Sequence, residues 1–258
     1  MRLLKEAIFI TMIITIMTGC STSSNLVSLD TRDGIKQKIL IETPSEKKIK
    51  GTILLFIGGS GKVDLSSNGL GKMNNNFLAR TRSYWHNAGY QTVIVDVPSD
   101  KTDMYYGHRN SQEHVQDIEK IIDYLGKSNP VWLNGTSRGS ESVAYIATQL
   151  TNKVDGIILT SSMTQDNEKG SNIFDFQLEK INIPVFIASH KKDGCSVTPP
   201  SDLNILESKL QNAKPLVKKL YDGGSSKSKN PCQAKTYHGF LGIEKNVLHD
   251  MIEFVNMN

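Results

Sequence analysis

The sequence predicts an α/β fold in which a mostly parallel sheet is covered by helices on both faces. Apolar, β-branched runs recur along the chain, and segments with helical spacing of apolar residues separate them. A parallel sheet with crossover helices requires this alternation. No internal repeat is visible, and 258 residues suffice for one sizeable domain with a buried core.

The apolar runs predict seven strands, and the stretches between them predict five helices. In the second helix, apolar residues recur at spacings of three and four, which indicates a face that packs on the core. The predicted strands are residues 38–42, 51–57, 92–97, 131–134, 156–161, 185–189 and 216–221. The predicted helices lie near residues 75–88, 111–126, 140–150, 201–211 and 243–255.

The first twenty residues have the architecture of a secretion signal. Arg2 and Lys5 precede an apolar stretch over residues 7–17, which is shorter than the roughly 20 residues of a membrane-spanning helix. The segment ends in Met17-Thr-Gly-Cys20 and resembles the lipobox of bacterial lipoproteins. That resemblance implies a signal peptide over residues 1–19 and a lipidated Cys20; an ordinary signal peptide is the alternative.

An exported lipoprotein is expected to be anchored to a membrane of the cell envelope, and in a Gram-negative host this would be the outer membrane, facing the periplasm. Residues 20–34 are rich in Ser, Thr and Asn, so we expect a flexible tether there and a folded domain over residues 35–258. In an oxidising compartment the two remaining cysteines, Cys195 and Cys232, predict one disulfide. Two free thiols are the alternative.

Charge and residue spacing argue against two classes of function. The chain has 30 basic and 26 acidic residues, a net charge of +4, and no Arg-rich stripe or long Lys run, so no nucleic-acid partner is expected. The histidines lack the paired spacing of metal ligands and no carboxylate cluster accompanies them in sequence. Neither a metal nor another cofactor is therefore expected.

Gly135-Thr-Ser-Arg-Gly139 is the most informative motif in the chain. This Gly-x-Ser-x-Gly pentapeptide follows the predicted strand 131–134 and precedes a predicted helix. A serine raised clear of a sheet edge needs a sharp strand-to-helix turn, and flanking glycines remove the collisions that side chains would make there. Ser137 is therefore a candidate nucleophile.

With this motif, the order of elements over residues 39–255 resembles the α/β-hydrolase fold. Ligands of such open sheets bind beyond the carboxyl ends of the strands. The resemblance implies a catalytic triad whose chain order is Ser, then an acid, then His. Asp193 follows the predicted strand 185–189, and His238 lies between the last strand and the last helix, where this fold places the acid and the base.

Other residues compete for these two roles. His190, at a strand end, is an alternative base, and Asp222, after the last strand, is an alternative acid. His249 lies inside the last helix and is expected to be a surface or packing residue. The histidines that precede Ser137 are disfavoured by the chain order of the family.

The resemblance also implies two backbone N–H donors for an oxyanion. One is the amide of Arg138, the residue after the nucleophile. The other is expected from the Gly-Gly-Ser-Gly loop at residues 58–61, in which Gly59 and Ser60 are both candidates. A simple glycine turn is the alternative for this loop.

Three cationic side chains near these motifs have two interpretations. Arg109, His114 and Arg138 would favour an anionic acyl substrate if they faced the cleft. Salt bridges or solvent exposure are the favoured interpretation, because charged side chains are mostly solvated.

A disulfide between Cys195 and Cys232 would join the loop of the acid to the loop of the base. Cys195 lies two residues after Asp193, and Cys232 lies six residues before His238. The cross-link would restrict two segments that are otherwise mobile.

Only about twenty residues separate the predicted strands 156–161 and 185–189, whereas lid-bearing lipases of the family insert larger caps. We therefore expect a short or absent lid, an open cleft and a small or extended polar ester as substrate.

The sequence thus predicts a serine hydrolase that cleaves an ester, or an amide, through an acyl-enzyme. A peptidase or a dienelactone-hydrolase-like enzyme with the same triad is one alternative. A non-catalytic binding or assembly lipoprotein on the same scaffold is the other, because fold alone does not determine function.

Overall fold

The computed structural model describes residues 21–45 and 48–258 of the chain. Its ten strands are β1 (Thr22–Arg32), β2 (Ile35–Pro44), β3 (Thr52–Phe56), β4 (Leu65–Ser66), β5 (Gly69–Leu70), β6 (Gln91–Pro98), β7 (Val131–Thr136), β8 (Gly156–Thr160), β9 (Val185–His190) and β10 (Leu216–Tyr221). The α-helices are α1 (Phe77–Arg80), α2 (Arg82–Asn87), α3 (Gln112–Leu125), α4 (Gly139–Gln149), α5 (Leu203–Lys209) and α6 (Glu244–Met257).

Eight of the strands form one sheet in the spatial order β1-β2-β6-β3-β7-β8-β9-β10, and β4 and β5 form a separate hairpin. Strand β2 is antiparallel to both of its neighbours, β1 and β6. The strands from β6 to β10 are all parallel to one another. Their carboxyl ends therefore meet at a single edge of the sheet.

Helices cover both faces of this sheet. Side chains alternate between the faces along a strand, and in β3 Leu54 and Phe56 join the core beneath α3, α4 and α5. Ile53 and Leu55 join the opposite core, to which α1, α2 and α6 contribute. The predicted fold class, a mostly parallel sheet between two helical layers, is confirmed.

All seven predicted strands are present, but one predicted helix is interrupted. The expected helix over residues 75–88 is split into α1 and α2 at Thr81. The Thr81 hydroxyl donates to the carbonyl of Phe77 at 2.7 Å, and such side-chain bonds to the preceding turn bend helices. The expected helix over residues 201–211 contains α5 and begins as a 3₁₀ turn at Pro200–Asp202.

The expected flexible tether over residues 20–34 is wrong for most of its length. Residues 22–32 form β1, which pairs with β2 from Thr22 opposite Pro44 to Arg32 opposite Ile35. Val27 and Leu29 pack against one core and Leu26 against the other. An edge strand needs few apolar residues, so its Ser- and Asn-rich composition resembled a linker.

A turn signal in the sequence could have revealed this strand. Asp33 and Gly34 separate β1 from β2, and Asp-Gly between two extended runs is a strong hairpin signal. Gly34 has a φ of 67°, a left-handed conformation that glycine adopts without strain.

The end of β1 is fixed to the helical layer by a buried carboxylate. Asp117 of α3, whose side chain is 1% exposed, accepts hydrogen bonds from Arg32 Nε at 2.9 Å and Arg32 Nη2 at 3.0 Å. The hydroxyl of Thr31 donates to the same carboxylate. This contact makes β1 an integral part of the domain.

The predicted signal peptide (residues 1–19) and Cys20 lie outside the described residues. Among the described residues, no helix is both long enough and apolar enough to cross a membrane.

Replacing Asp117 by alanine is expected to destabilise the domain by about 2–3 kcal/mol, because Thr31 and Arg32 lose a buried acceptor and Arg32 keeps only the partly exposed Asp100. Asp123→Ala, on the same helix, is the matched control, since Asp123 only pairs with Lys153 at the surface and should cost at most about 1 kcal/mol. Urea titration measures both. If both variants lose the same small amount of unfolding free energy, Asp117 does not hold β1 to α3.

Candidate active site

Ser137 occupies a strained turn between β7 and α4, at the edge where the parallel strands end. Its φ is 53°, a left-handed value that is uncommon for a residue with a side chain. The Ser137 amide donates to the carbonyl of Thr160, at the end of β8, at 3.0 Å. This is the geometry of a nucleophile elbow, which raises the serine hydroxyl above the sheet.

The two glycines of the motif are required by close backbone packing. A Cβ on Gly135 would lie 2.5 Å from the carbonyl oxygen of Gly139, and a Cβ on Gly139 would collide with the carbonyl oxygen of Phe56 at the end of β3. Any side chain at these positions would therefore push α4 away from the sheet.

Asp193 and His238, which are 45 residues apart in sequence, are in direct contact. The Oδ2 atom of Asp193 lies 2.9 Å from Nδ1 of His238, and both side chains are almost fully buried. The Cys195 amide donates to Oδ1 of Asp193 at 3.0 Å. One carboxylate oxygen is thus held by its own loop, and the other is left to orient the imidazole.

Both backbone groups of His238, its amide and its carbonyl, form hydrogen bonds with side chains. Its amide donates to the Thr236 hydroxyl at 3.1 Å, and its carbonyl accepts from the Ser161 hydroxyl at 2.9 Å. Ser161 follows β8, so the loop of His238 is fastened to the carboxyl edge of the sheet.

Sequence reasoning missed Thr198, which touches both members of this pair. Its hydroxyl lies 3.1 Å from Oδ2 of Asp193 and 3.1 Å from Nδ1 of His238. No motif marks this threonine, because it approaches the pair only through the folding of the loop after β9. Its position beside both atoms restricts the rotation of the imidazole.

Ser137 and His238 line the same cavity, which has a volume of about 440 Å³. Within the described residues, Nε2 of His238 is buried and has no hydrogen-bond partner. No hydrogen bond therefore joins Ser137 to His238 in the described structure, although both residues line the cavity. Catalytic hydrogen bonds are often long before substrate binds.

The glycine loop after β3 forms another wall of this cavity. Gly58, Gly59 and Ser60 line it, and a Cβ on Gly58 would lie 3.0 Å from Cβ of Ser137. In the described part of the chain, the amides of Gly59, Ser60 and Arg138 donate to no other group. These are the three residues predicted to supply oxyanion donors.

The alternative base, His190, and the alternative acid, Asp222, form hydrogen bonds with other groups. Nε2 of His190 lies 2.9 Å from the carbonyl of Gly223, and its Nδ1 accepts from the amide of Lys192 at 3.0 Å. Asp222 accepts from the amide of Gly223 at 2.8 Å and pairs with Lys191 at 3.5 Å. His249 is exposed on α6. The structure therefore favours Asp193 and His238 over these alternatives.

The three cationic residues near the motifs do not form an anion-binding surface. The Arg138 guanidinium pairs with Glu141 at 3.3 Å and lies 5.3 Å from the centre of the Tyr105 ring. Burial lowers the pKa of His114 to about 3, so its imidazole is neutral at physiological pH. Arg109 is buried behind the glycine loop.

Cys195 and Cys232 form a disulfide, as the sequence predicted. Cys195 is buried beside Asp193, whereas Cys232 lines the cavity together with Gln233 and Ala234. The bond therefore joins the loop of the candidate acid to the wall beside the candidate base.

A carboxylate–histidine cluster that the sequence analysis missed lies on α6. His249, Asp250 and Glu253 place their ligand atoms within 4.8 Å of one another, because Glu253 lies four residues after His249 and three after Asp250, spacings that bring helical side chains together. Nδ1 of His249 lies 3.6 Å from Oδ1 of Asp250, and Nε2 of His249 lies 3.5 Å from Oε1 of Glu253. None of the three lines the cavity of Ser137.

Comparison with known proteins relates this architecture to hydrolases of solved structure. Neither a protein-family model nor a curated protein sequence matches the chain. A cold-adapted esterase from an Arctic intertidal metagenomic library superposes with a TM-score of 0.65 at 13% identity, covering 91% of this chain and 95% of that one. Est1E from Butyrivibrio proteoclasticus has a TM-score of 0.62 at 16% identity, with 90% and 98% covered.

An α/β serine hydrolase homologue from Coxiella burnetii has a TM-score of 0.63 at 16% identity, covering 89% of this chain and 96% of that one. The similarity spans nearly the whole length of each neighbour. At this level of identity it shows a shared fold: the described chain has the α/β-hydrolase fold.

Removing the disulfide with Cys195→Ala/Cys232→Ala is expected to destabilise the domain by about 4 kcal/mol, the loop-closure value for a separation of 37 residues. Hydrolysis of p-nitrophenyl acetate should also slow, because the Asp193 loop loses its link to the cavity wall. Excess dithiothreitol should reproduce the slowing in the wild type and leave the double variant unchanged. Unaltered kinetics in fully reduced wild-type protein would contradict this prediction.

Proposed function

We propose that this protein is a serine hydrolase that cleaves esters through an acyl-enzyme, with Ser137 as nucleophile, His238 as base and Asp193 as the orienting acid. The single observation that carries the proposal is the shared cavity. It is lined by a serine on a strained elbow and by an imidazole whose Nδ1 binds a buried carboxylate and whose Nε2 is free. In the proposed mechanism, Nε2 activates the hydroxyl of Ser137 once the two atoms come within hydrogen-bond distance.

In the proposed reaction, Oγ of Ser137 attacks the ester carbonyl while Nε2 of His238 takes the hydroxyl proton. Asp193 keeps the imidazole in the tautomer that accepts at Nε2 and stabilises the imidazolium. The protonated His238 then gives its proton to the leaving alcohol, which departs and leaves the acyl-enzyme. Water, activated by the same imidazole, releases the acid.

The negative charge on the substrate oxygen needs donors during both steps. We assign this role to the amide of Arg138, next to Ser137, and to an amide of the cavity-lining residues Gly59 and Ser60, which in the described residues donate to no other group. Each such donor contributes about 2.7–4 kcal/mol to lowering the barrier.

The comparisons with solved structures favour an ester substrate over an amide substrate. Of the three neighbours described above, one is named as a cold-adapted esterase and another as an α/β serine hydrolase homologue. A peptidase or a dienelactone-hydrolase-like enzyme would use the same residues, so the choice rests on substrate tests. Comparing p-nitrophenyl acetate with a p-nitroanilide separates ester from amide cleavage.

The cavity wall favours small, uncharged esters. Among the described residues, no Asp, Glu, Lys or Arg side chain lines the cavity, and Asn74, Asn75 and Gln233 contribute amides. The segment between β8 and β9 has only short 3₁₀ turns at Ile173–Asp175 and Leu178–Lys180 and lines none of the cavity. This segment therefore forms no cap over the cavity.

We further propose that Cys20 carries a lipid that anchors the enzyme in the cell envelope. Strand β1 begins at Thr22 opposite Pro44, at the edge where the parallel strands start, and the cavity lies at the other edge. Eleven residues of β1 correspond to about 35 Å. A lipid at Cys20 would thus leave the cavity facing away from the membrane, toward soluble substrates.

Ser137→Ala is expected to abolish turnover of p-nitrophenyl acetate while the thermal unfolding midpoint stays close to that of the wild type. A fluorophosphonate probe should label Ser137 and no other residue, which peptide mapping by mass spectrometry measures. Ser208→Ala, at an exposed position of α5, is the control and should still be labelled. Absence of labelling in folded wild-type protein would favour a non-catalytic binding protein.

Cys20→Ala is expected to move the full chain from the membrane fraction to the soluble fraction. Its rate on soluble p-nitrophenyl acetate should equal that of the lipidated enzyme in phosphatidylcholine vesicles, because the cavity does not face the bilayer. Fractionation followed by the esterase assay measures both. A Cys20→Ala protein that stays with the membrane would contradict the anchor.

A further inference from the structure

Arg109 is a buried cation behind the glycine loop, on the side away from the substrate cavity. It belongs to the 3₁₀ turn His108–Asn110 and is 3% exposed. Burying an arginine is costly unless its hydrogen bonds are satisfied, so its contacts indicate what the position requires.

The guanidinium of Arg109 joins the glycine loop to the helix that follows the nucleophile. Its Nη2 donates to the carbonyl of Ile57 at 3.0 Å and to the carbonyl of Gly59 at 3.1 Å. Its Nη1 donates to the hydroxyl of Ser142, on α4, at 3.1 Å. Two carbonyls flanking Gly58 are thereby fixed relative to α4.

The direction of these carbonyls determines the direction of the amides that face the cavity. In a trans peptide the C=O of one residue and the N–H of the next point in opposite directions. Because the Gly59 carbonyl points at Arg109, the Ser60 N–H points away from it. The preceding peptide is fixed by the turn, in which the Gly61 amide donates to the Gly58 carbonyl at 3.2 Å.

The loop is packed directly on the guanidinium. A Cβ on Gly61 would lie 2.8 Å from Nη2 of Arg109 and 2.9 Å from Cγ of Met104. Burial lowers the pKa of Arg109 to about 10, so it stays protonated at neutral pH. Glu141, a buried carboxylate on α4, contributes an attractive charge.

We propose that Arg109 is a positioning residue for the oxyanion loop: by binding the carbonyls of Ile57 and Gly59 and anchoring them to Ser142, it aims the loop amides at the substrate oxygen. The inference rests on the proposed serine hydrolase function. Arg109 touches no substrate, and it acts only through the peptide groups that it holds.

The test uses Arg109→Met and Arg109→Lys, assayed with p-nitrophenyl acetate and with a trifluoromethyl ketone, which forms a tetrahedral adduct on a catalytic serine. Loss of a correctly placed donor lowers kcat by about 10²–10³-fold, so Arg109→Met should approach about 10²-fold. KM should change less than about twofold, because the donors act on the transition state. The inhibition constant of the ketone should rise by the same factor as kcat/KM falls.

Arg109→Lys should recover only part of the rate, because a lysine ammonium lacks the fork that spans two carbonyls and a hydroxyl. Arg32→Met is the matched control: it also removes an arginine with a buried partner, and it should lower stability while leaving kcat unchanged below its unfolding temperature. Ser142→Ala removes one hydrogen-bond partner of the Arg109 guanidinium. This variant provides the test if the Arg109 variants do not fold. It should lower kcat and ketone affinity together.

Full kcat in folded Arg109→Met, or in Ser142→Ala if the former does not fold, would overturn the inference while leaving the hydrolase assignment intact. A rise in KM at constant kcat would overturn it equally. Failure of the proposed function looks different, since wild-type protein would then neither turn over the ester nor react with a fluorophosphonate.

Discussion

The hydrogen bond between Asp193 and His238 is the contact on which the candidate site depends. It joins loops that follow different strands, β9 and β10, and it is buried at 2.9 Å. Only a parallel sheet brings these loops to one edge, because parallel strands all end on the same side. The fold therefore supplies the proximity, and the local loops supply the orientation.

Several contacts around this pair act on its geometry. Thr198 restrains the imidazole, Ser161 holds the carbonyl of His238, and the disulfide of Cys195 joins the acid loop to the cavity wall. On the opposite wall, Arg109 fixes the glycine loop. In the proposed reaction, groups that are held in this way need little rearrangement as charge develops in the substrate, whereas Ser137 and His238 have still to form their hydrogen bond.

The sequence predicted the parts of this molecule that have local signatures. The buried strands were found because fully apolar β-branched runs are distinctive. The sharp turn at Ser137 was predicted because it needs glycine on both sides. Asp193 and His238 followed from the chain order of the resembled family. The Asp193–His238 contact itself is a long-range fact that spacing alone does not encode.

The misses have physical reasons as well. Strand β1 lies at an edge, where one side pairs and the other is solvated, so it lacks an apolar run; only Asp33-Gly34 signalled it. Thr198 and Arg109 act through contacts that tertiary folding creates, and neither stands in a motif. The break at Thr81 arose from a single hydroxyl that competes for a helical carbonyl.

The central claim is that Asp193, His238 and Ser137 act as one unit, and a double-mutant cycle tests it most directly. The second-order rate constant for fluorophosphonate modification of Ser137 would be measured in Asp193→Asn, His238→Gln and the double variant. Residues that act as a unit are strongly non-additive, so the double variant should react about as slowly as His238→Gln alone. If the rate constant of the double variant instead falls by the product of the two single reductions, the residues act independently and the account is contradicted.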